Sequence, residues 1–211
     1  MEPVSALIVN NIPVNGIDVS HWNGESTEPV PPWVQFYGMK AVHIGGSKMV
    51  DGVDPLFNYN RHRAAQTPSV RWAGMYLYLT HTVRQVDQIN KLIETVGDLT
   101  DGEFIFLDWE DQLVTTLDLE ALYYLNAIYG GRWAMYVNDM TASMTAWMVN
   151  NRSAGSPIPI IHPDWRLNGW EAAKKWDAAV WQPGVACVPG YAAAIDVDLV
   201  IKPDVLDRIT R

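Results

Sequence analysis

The sequence has one cysteine in 211 residues, Cys187 in VACVPG, so no disulfide can form within the chain. A lone thiol in that setting reads as a small apolar filler. No run of lysine or arginine occurs: fifteen basic residues stand against twenty-four acidic ones, a net charge of −9. Phosphate backbones need clustered positive charge, so nucleic acid is excluded as a partner. No apolar stretch approaches the roughly 20 residues of a membrane-crossing helix, which excludes membrane insertion. The five histidines are unclustered, and neither an HExxH pattern nor a Cys–His cluster is present, so metal and other cofactor chemistry has no motif to rest on. A GxSxG elbow is missing too, which removes the usual seat of a Ser–His–acid triad.

What remains is an apolar, aromatic chain. Hydrophobic residues make up 48% and charged residues 18%, with ten Trp and nine Tyr, while thirteen Pro and fifteen Gly are scattered. That composition gives a globule, and the length suits a single domain spanning 1–211 with its core at about 15–205. Strand-like runs fall at Gly16–Ser20, Ala41–Gly45, Trp72–Leu79, Phe104–Trp109, Ala134–Val137, Ile158–Ile161, Ala179–Gln182 and Ile195–Val200. Helical spacing predicts helices over Pro31–Tyr37, Leu56–Gln66, Thr82–Val96 and Leu117–Tyr129, the last with Thr115 or Thr116 as cap. Asn138 can cap a further helix carrying Met140, Met144, Trp147 and Met148, and a short one is expected at Gly169–Lys175. Strand and helix alternate five times and then strands dominate. This predicts an α/β fold, a parallel TIM-like barrel whose last units have lost their helices.

The acids sit where such a barrel would use them. Asp18 lies in GIDVSHW, Asp108 and Glu110 in FIFLDWED, and Asp196 and Asp198 in AIDVDLV. Each ends or interrupts an apolar run, where an unpaired carboxylate is costly. Asp108 and Glu110 are two residues apart, so on a strand they share a face while Trp109 points the other way. Converging carboxyls push one another's pKa apart, which permits one to hold a proton while others are ionised. Glycoside cleavage needs that division, but two same-face acids are too close to flank a sugar ring as opposed acid and nucleophile. They fit a substrate-assisted route, with Glu110 as general acid and Asp108 orienting a 2-acetamido group.

GIDVSHWNG, DPLFNYN, AGMYLYL, RQVDQI, FLDWED, WAMYVND, VWQPG and VDL, in that order, resemble glycoside hydrolase family 25, the lysozymes or N-acetylmuramidases of the Chalaropsis and phage endolysin type. The resemblance runs from about Asn15 to the last strand. It implies a flattened barrel of five βα units followed by three β-strands. It further implies hydrolysis of the β-1,4 bond between N-acetylmuramic acid and N-acetylglucosamine in bacterial peptidoglycan strands, without metal or cofactor. The arrangement of the acids favours a retaining, substrate-assisted route, with an inverting one through a distal base such as Asp18 or Asp198 as the other reading. By the same resemblance Glu110 is the general acid, Asp108 its partner and Asp18 the first-strand acid. Asp198 matches the last-strand acid, with Asp196 on the same face as the competing assignment, and Tyr76, Tyr136 and Trp181 line the groove. His21 is expected to have a structural or hydrogen-bonding role. The alternative is a non-catalytic glycan-binding or phage structural module on the same barrel. A monomer is favoured. MEPVSALIVNNIPVNG shows no signal-like charge pattern, so the expectation is synthesis in the cytoplasm with action on the wall after release, or secretion with the signal removed.

Overall fold

Runs of alternating small and large apolar residues form the strands of the computed structural model, which describes residues 7–9, 11–137, 160–163 and 178–211. A hairpin, β1 (Leu7–Val9) and β2 (Ile12–Val14), precedes eight strands closed into a barrel. These are β3 (Gly16–Val19), β4 (Phe36–Val42), β5 (Trp72–Tyr78), β6 (Glu103–Trp109), β7 (Trp133–Val137), β8 (Ile160–Pro163), β9 (Val180–Ala186) and β10 (Ile195–Val200). Neighbours from β3 to β9 are parallel. Helices α1 (Phe57–Gln66), α2 (Gln85–Val96) and α3 (Leu119–Tyr129) follow β4, β5 and β6, and α4 (Pro203–Ile209) follows β10. The expected α/β barrel is therefore present.

Several elements differ from the sequence expectation. The strand expected at Ala41–Gly45 is β4, seven residues long and beginning at Phe36, and the helix expected at Pro31–Tyr37 is absent. Its pattern, FYGMKAV, is masked by Gly38 and Lys40, which interrupt the apolar alternation. Gly38 leaves room for its neighbour: a Cβ there would stand 3.0 Å from the Asp18 carboxyl carbon on the adjacent strand. After β3 the chain forms only a 3-10 turn, His21–Asn23. Helix α3 is capped by Asp118, whose side chain accepts from the Glu120 N–H, and not by Thr115 or Thr116. The last strand, β10, runs antiparallel to both β3 and β9, correcting the all-parallel expectation. The hairpin and α4 were not expected. The helices expected from Asn138 and at Gly169–Lys175 lie outside the described residues.

Parity divides the core. Outward residues such as Ile17, Val19, Met39, Met75, Leu77, Ile105, Leu107, Trp109, Met135 and Val137 pack with Ile89 and Leu92 of α2 and Ala121, Leu122 and Leu125 of α3. Inward residues Phe36, Trp72, Phe104, Phe106, Ala134 and Ile161 form a second cluster that continues into Leu206 and Ile209 of α4. Gly74 allows this filling: a Cβ there would meet the Phe106 ring at 2.8 Å. Helix α4 closes the end of the barrel where the parallel strands begin. Asp207 accepts from the Trp72 indole N–H at 3.0 Å and pairs with Arg71, and the Arg132 guanidinium donates to the carbonyls of Thr100, Glu103 and Thr210. With that end plugged, any opening lies where the parallel strands end.

Candidate active site

The same inward parity that buries Phe36, Phe104 and Phe106 below carries polar residues above. On β3 the inward residues are Gly16 and Asp18, on β4 Gly38 and Lys40, and on β5 Tyr76 and Tyr78. On β6 the inward series continues through Asp108 to Glu110, and β7 contributes Tyr136. Asp18 pairs across the closure with Asp196 of β10, and Tyr78 pairs with Asp108. The structure therefore brings Asp18, Asp108, Glu110, Asp196, Tyr76 and Tyr136 to one mouth. Tyr76 stacks on Phe106 at 4.8 Å between ring centroids and hydrogen-bonds to the Asp18 carboxyl. The Tyr136 hydroxyl donates to Gln182 Oε1 at 2.8 Å. Trp109 faces outward as expected, fully buried, its indole N–H donating to the Val114 carbonyl.

The two acids of β10 separate by depth. Because that strand runs against the others, its first residues reach the mouth and its later ones go down into the lumen. Asp196 lies level with Asp18, whereas Asp198 lies level with Gly16, one rung deeper. Asp198 is only 1% exposed, and neither carboxylate oxygen has a hydrogen-bond partner. Of the two candidates for the last-strand acid, Asp196 is the one level with Asp18, and Asp198, which the resemblance favours, lies deeper. Trp181 is corrected as well. It is aligned with His162 and Leu199 on the outer face and packs in the outer cluster, 3% exposed. Its neighbour Gln182 faces the lumen instead, through its bond to Tyr136.

Burial dominates the electrostatics. It pushes the Asp18 carboxyl well above the ordinary range, aided by the charge of Asp196 and opposed by Lys40 and the Tyr76 hydroxyl. Asp108 is pushed up by burial and then by Glu110, again against Lys40. Asp196 is raised to about 6 by burial and Glu110, with Lys40 opposing. Asp198 is raised by burial and by its two neighbours Asp18 and Asp196. Such a crowd cannot be fully ionised, so protons are shared among the carboxyls near neutrality. The Glu110 charge is the second cause of the upward shift of Asp108, so the two carboxyls bear on one another, an arrangement acid–base chemistry exploits.

Sequence reasoning missed Lys40, Tyr78, Gln182 and His43. The Lys40 ammonium lies 5.5 Å from the Tyr76 ring centroid and 5.7 Å from that of Tyr78. Its signal was the i, i+2 series Phe36, Gly38, Lys40, visible only once β4 is placed correctly. The His43 ring lies 4.3 Å from that of Tyr78. His21 is held by Asp54: its ring Nδ1 is 2.7 Å from Oδ2, which also accepts the His21 backbone N–H. Among the described residues no group of three or more His, Cys, Asp or Glu side chains is arranged to hold a metal ion. Among them, too, no helix is long and apolar enough to cross a membrane.

No family model and no curated protein matches this chain. Solved structures do. One is GHIP, a glycosyl hydrolase 25 of Streptococcus pneumoniae described as a virulence factor participating in host cell invasion. It is 11% identical, with a TM-score of 0.59 over 92% of this chain and 89% of that one. Another is the catalytic domain of endolysin ply40 from a bacteriophage of Listeria monocytogenes. It is 14% identical, with a TM-score of 0.63 over 92% of this chain and 95% of that one. In fold, this chain is similar to a glycosyl hydrolase 25 and to an endolysin catalytic domain.

Proposed function

We propose that the protein is a peptidoglycan hydrolase, a muramidase that cleaves the β-1,4 bond between N-acetylmuramic acid and N-acetylglucosamine. The observation that carries this reading is the convergence of Asp18, Asp108, Glu110 and Asp196 at one end of the barrel, opposite the apolar plug and beside Tyr76 and Tyr136. The fold likeness to a glycosyl hydrolase and an endolysin catalytic domain supports it. Aromatic rings among carboxyls suit sugars, whose C–H faces pack on rings while hydroxyls and amides meet oxygen acceptors.

Glu110 donates its proton to the glycosidic oxygen as the bond to the anomeric carbon breaks. The carbonyl oxygen of the substrate's 2-acetamido group attacks that carbon from the opposite face. Asp108 accepts the acetamido N–H through a carboxyl oxygen, orienting the group as positive charge develops on it. The leaving sugar departs as an alcohol. Glu110, now a carboxylate, takes a proton from water, and the water oxygen attacks the anomeric carbon as its bond to the acetamido oxygen breaks, restoring the acetamido group and giving net retention. Asp196, whose pKa is raised to about 6, supplies negative potential beside the oxocarbenium-like centre once it is ionised. No step requires a metal, and EDTA is expected to leave the rate unchanged.

The test is reducing-end release from purified peptidoglycan. Glu110→Gln should lower the rate by about two to four orders of magnitude, the usual contribution of a general acid. Mass spectrometry of the soluble products should find N-acetylmuramic acid at the reducing end. Equal rates for wild type and variant, or binding to the wall without release, would overturn the assignment.

A further inference from the structure

The inward residues follow a fixed order along the barrel wall. Asp108 lies in β6 with Glu110 just after it, Tyr76 and Tyr78 lie in the adjoining β5, and Lys40 lies in β4 beyond that. Lys40 is aligned with Tyr76, and Tyr78 with Asp108. Lys40 is half-buried and continues the inward series of Phe36 and Gly38. Its ammonium lies 5.5 Å from the Tyr76 ring centroid and 5.7 Å from that of Tyr78, so cation–π attraction holds it against the inner face of β5. Among the described residues it makes no hydrogen bond and no ion pair. An ammonium has three donors and no acceptor. One that is half withdrawn from water and held by rings alone is suited to an oxygen that a ligand brings.

We propose that Lys40 binds the 3-O-lactyl group of N-acetylmuramic acid and so sets the preference for that sugar, over N-acetylglucosamine, as the one whose anomeric bond is cleaved. The inference rests on the reading of the mouth as a muramidase site. In that reading Glu110 meets the oxygen on the anomeric carbon and Asp108 meets the acetamido group on the next carbon. The lactyl ether stands on the carbon after that, so the three substituents run in the same order as β6, β5 and β4. Strands one apart are separated by about 4.8 Å, which puts β4 roughly 10 Å from β6. A lysine stem on one side and a lactyl arm on the other bridge that gap. The arm ends in a carboxylate, or in an amide carbonyl where a peptide stem is attached, and either accepts from an ammonium. N-acetylglucosamine carries only a short hydroxyl on that carbon.

The test uses two ligands that differ in the lactyl group: peptide-free oligomers alternating N-acetylglucosamine with N-acetylmuramic acid, and chitooligosaccharides of equal length. Two readouts are taken: the kinetics of reducing-end release, and calorimetric binding in a Glu110→Gln background, which needs no turnover. With Lys40 present, the muramic oligomer should bind about ten- to a hundredfold more tightly than the chitooligosaccharide, the usual worth of a hydrogen bond from a charged group. Lys40→Met, which keeps the apolar stem, should abolish that preference by raising KM and weakening binding for the muramic oligomer alone, with kcat changed less than about threefold. Lys40→Arg should recover most of the loss, and Lys40→Gln takes the place of the Met variant should that one fold poorly. Equal binding of the two ligands with Lys40 present, equal losses for both in Lys40→Met, or no loss for the muramic oligomer in a folded variant would overturn the inference. Lys40-dependent binding of the muramic oligomer, with no reducing ends released by the wild type, would instead overturn the muramidase reading and leave the recognition of the lactyl group standing.

Discussion

At the scale of single residues, the mouth is organised against its own stability. Asp196 has its pKa raised to about 6 from an ordinary 3.8, so between those values the folded chain binds more protons than the unfolded one. Its contribution to stability is therefore fully present below pH 3.8 and is lost as the pH rises through about 6. Asp196→Asn should raise the melting temperature at pH 7.5, as measured by calorimetry, while slowing turnover, and the gain should vanish near pH 4. A gain that persists unchanged at pH 4 would count against the charge as its cause. Glu103, at the start of β6 and away from the mouth, has the opposite sign. Burial pushes it up, but the Arg61 side chain and the Thr100 N–H outweigh that and hold it below its ordinary value. Its stabilising effect is present at neutral pH and lost on acidification. The residues that touched chemistry in the sequence were legible by spacing: Asp108 and Glu110 share a face because a strand repeats every two residues. Trp181 was not, since an aromatic beside an apolar run gives no sign of which neighbour turns inward. Its facing is set by alignment with His162 and Leu199 on strands far away in sequence.

At the scale of elements, direction and register decide what the acids can do. The order of Asp196 and Asp198 relative to the mouth follows from β10 running antiparallel. Nothing within IDVDLV states that direction, which depends on closure between β3 and β9. The same limit hid β4, whose central glycine is explained only by the Asp18 side chain lying over it. Gly38→Ala makes this testable. A Cβ 3.0 Å from both Cγ and Oδ2 of Asp18 must displace that carboxyl or its strand. Activity should fall at least tenfold while the melting temperature drops only by a few degrees, the effect of about 1 kcal/mol of crowding. Unaltered kcat in a folded variant would show that the position of Asp18 matters little. By contrast, α2 and α3 were readable in outline from their stripes and from Gly97 and Gly130 after them, with positive φ of 63° and 60°. Periodicity is local information, and helices store most of theirs locally.

At the scale of the whole molecule, the barrel is a cup with a sealed base and a polar mouth. The base depends on α4, whose Leu206 and Ile209 complete the inward cluster and whose Asp207 joins Trp72 and Arg71. Asp207→Ala should destabilise the fold by about 1–2 kcal/mol, chiefly through the orphaned indole N–H. Chemical denaturation would measure this, and kcat at a temperature where the variant is folded should be unaffected, since the change lies at the far end from the carboxyls. The overall α/β barrel was legible because its strand runs are spaced by helical stripes. The plug was not, because PDVLDRI is too short a segment to announce a tertiary role. One consequence of that plug concerns handling. Residues 203–211 follow a strand that descends from the mouth, so the backbone reaches Arg211 on the underside of the cup. A bead, dye or fused domain joined there would hang away from the carboxyl-lined rim and leave that rim unobstructed.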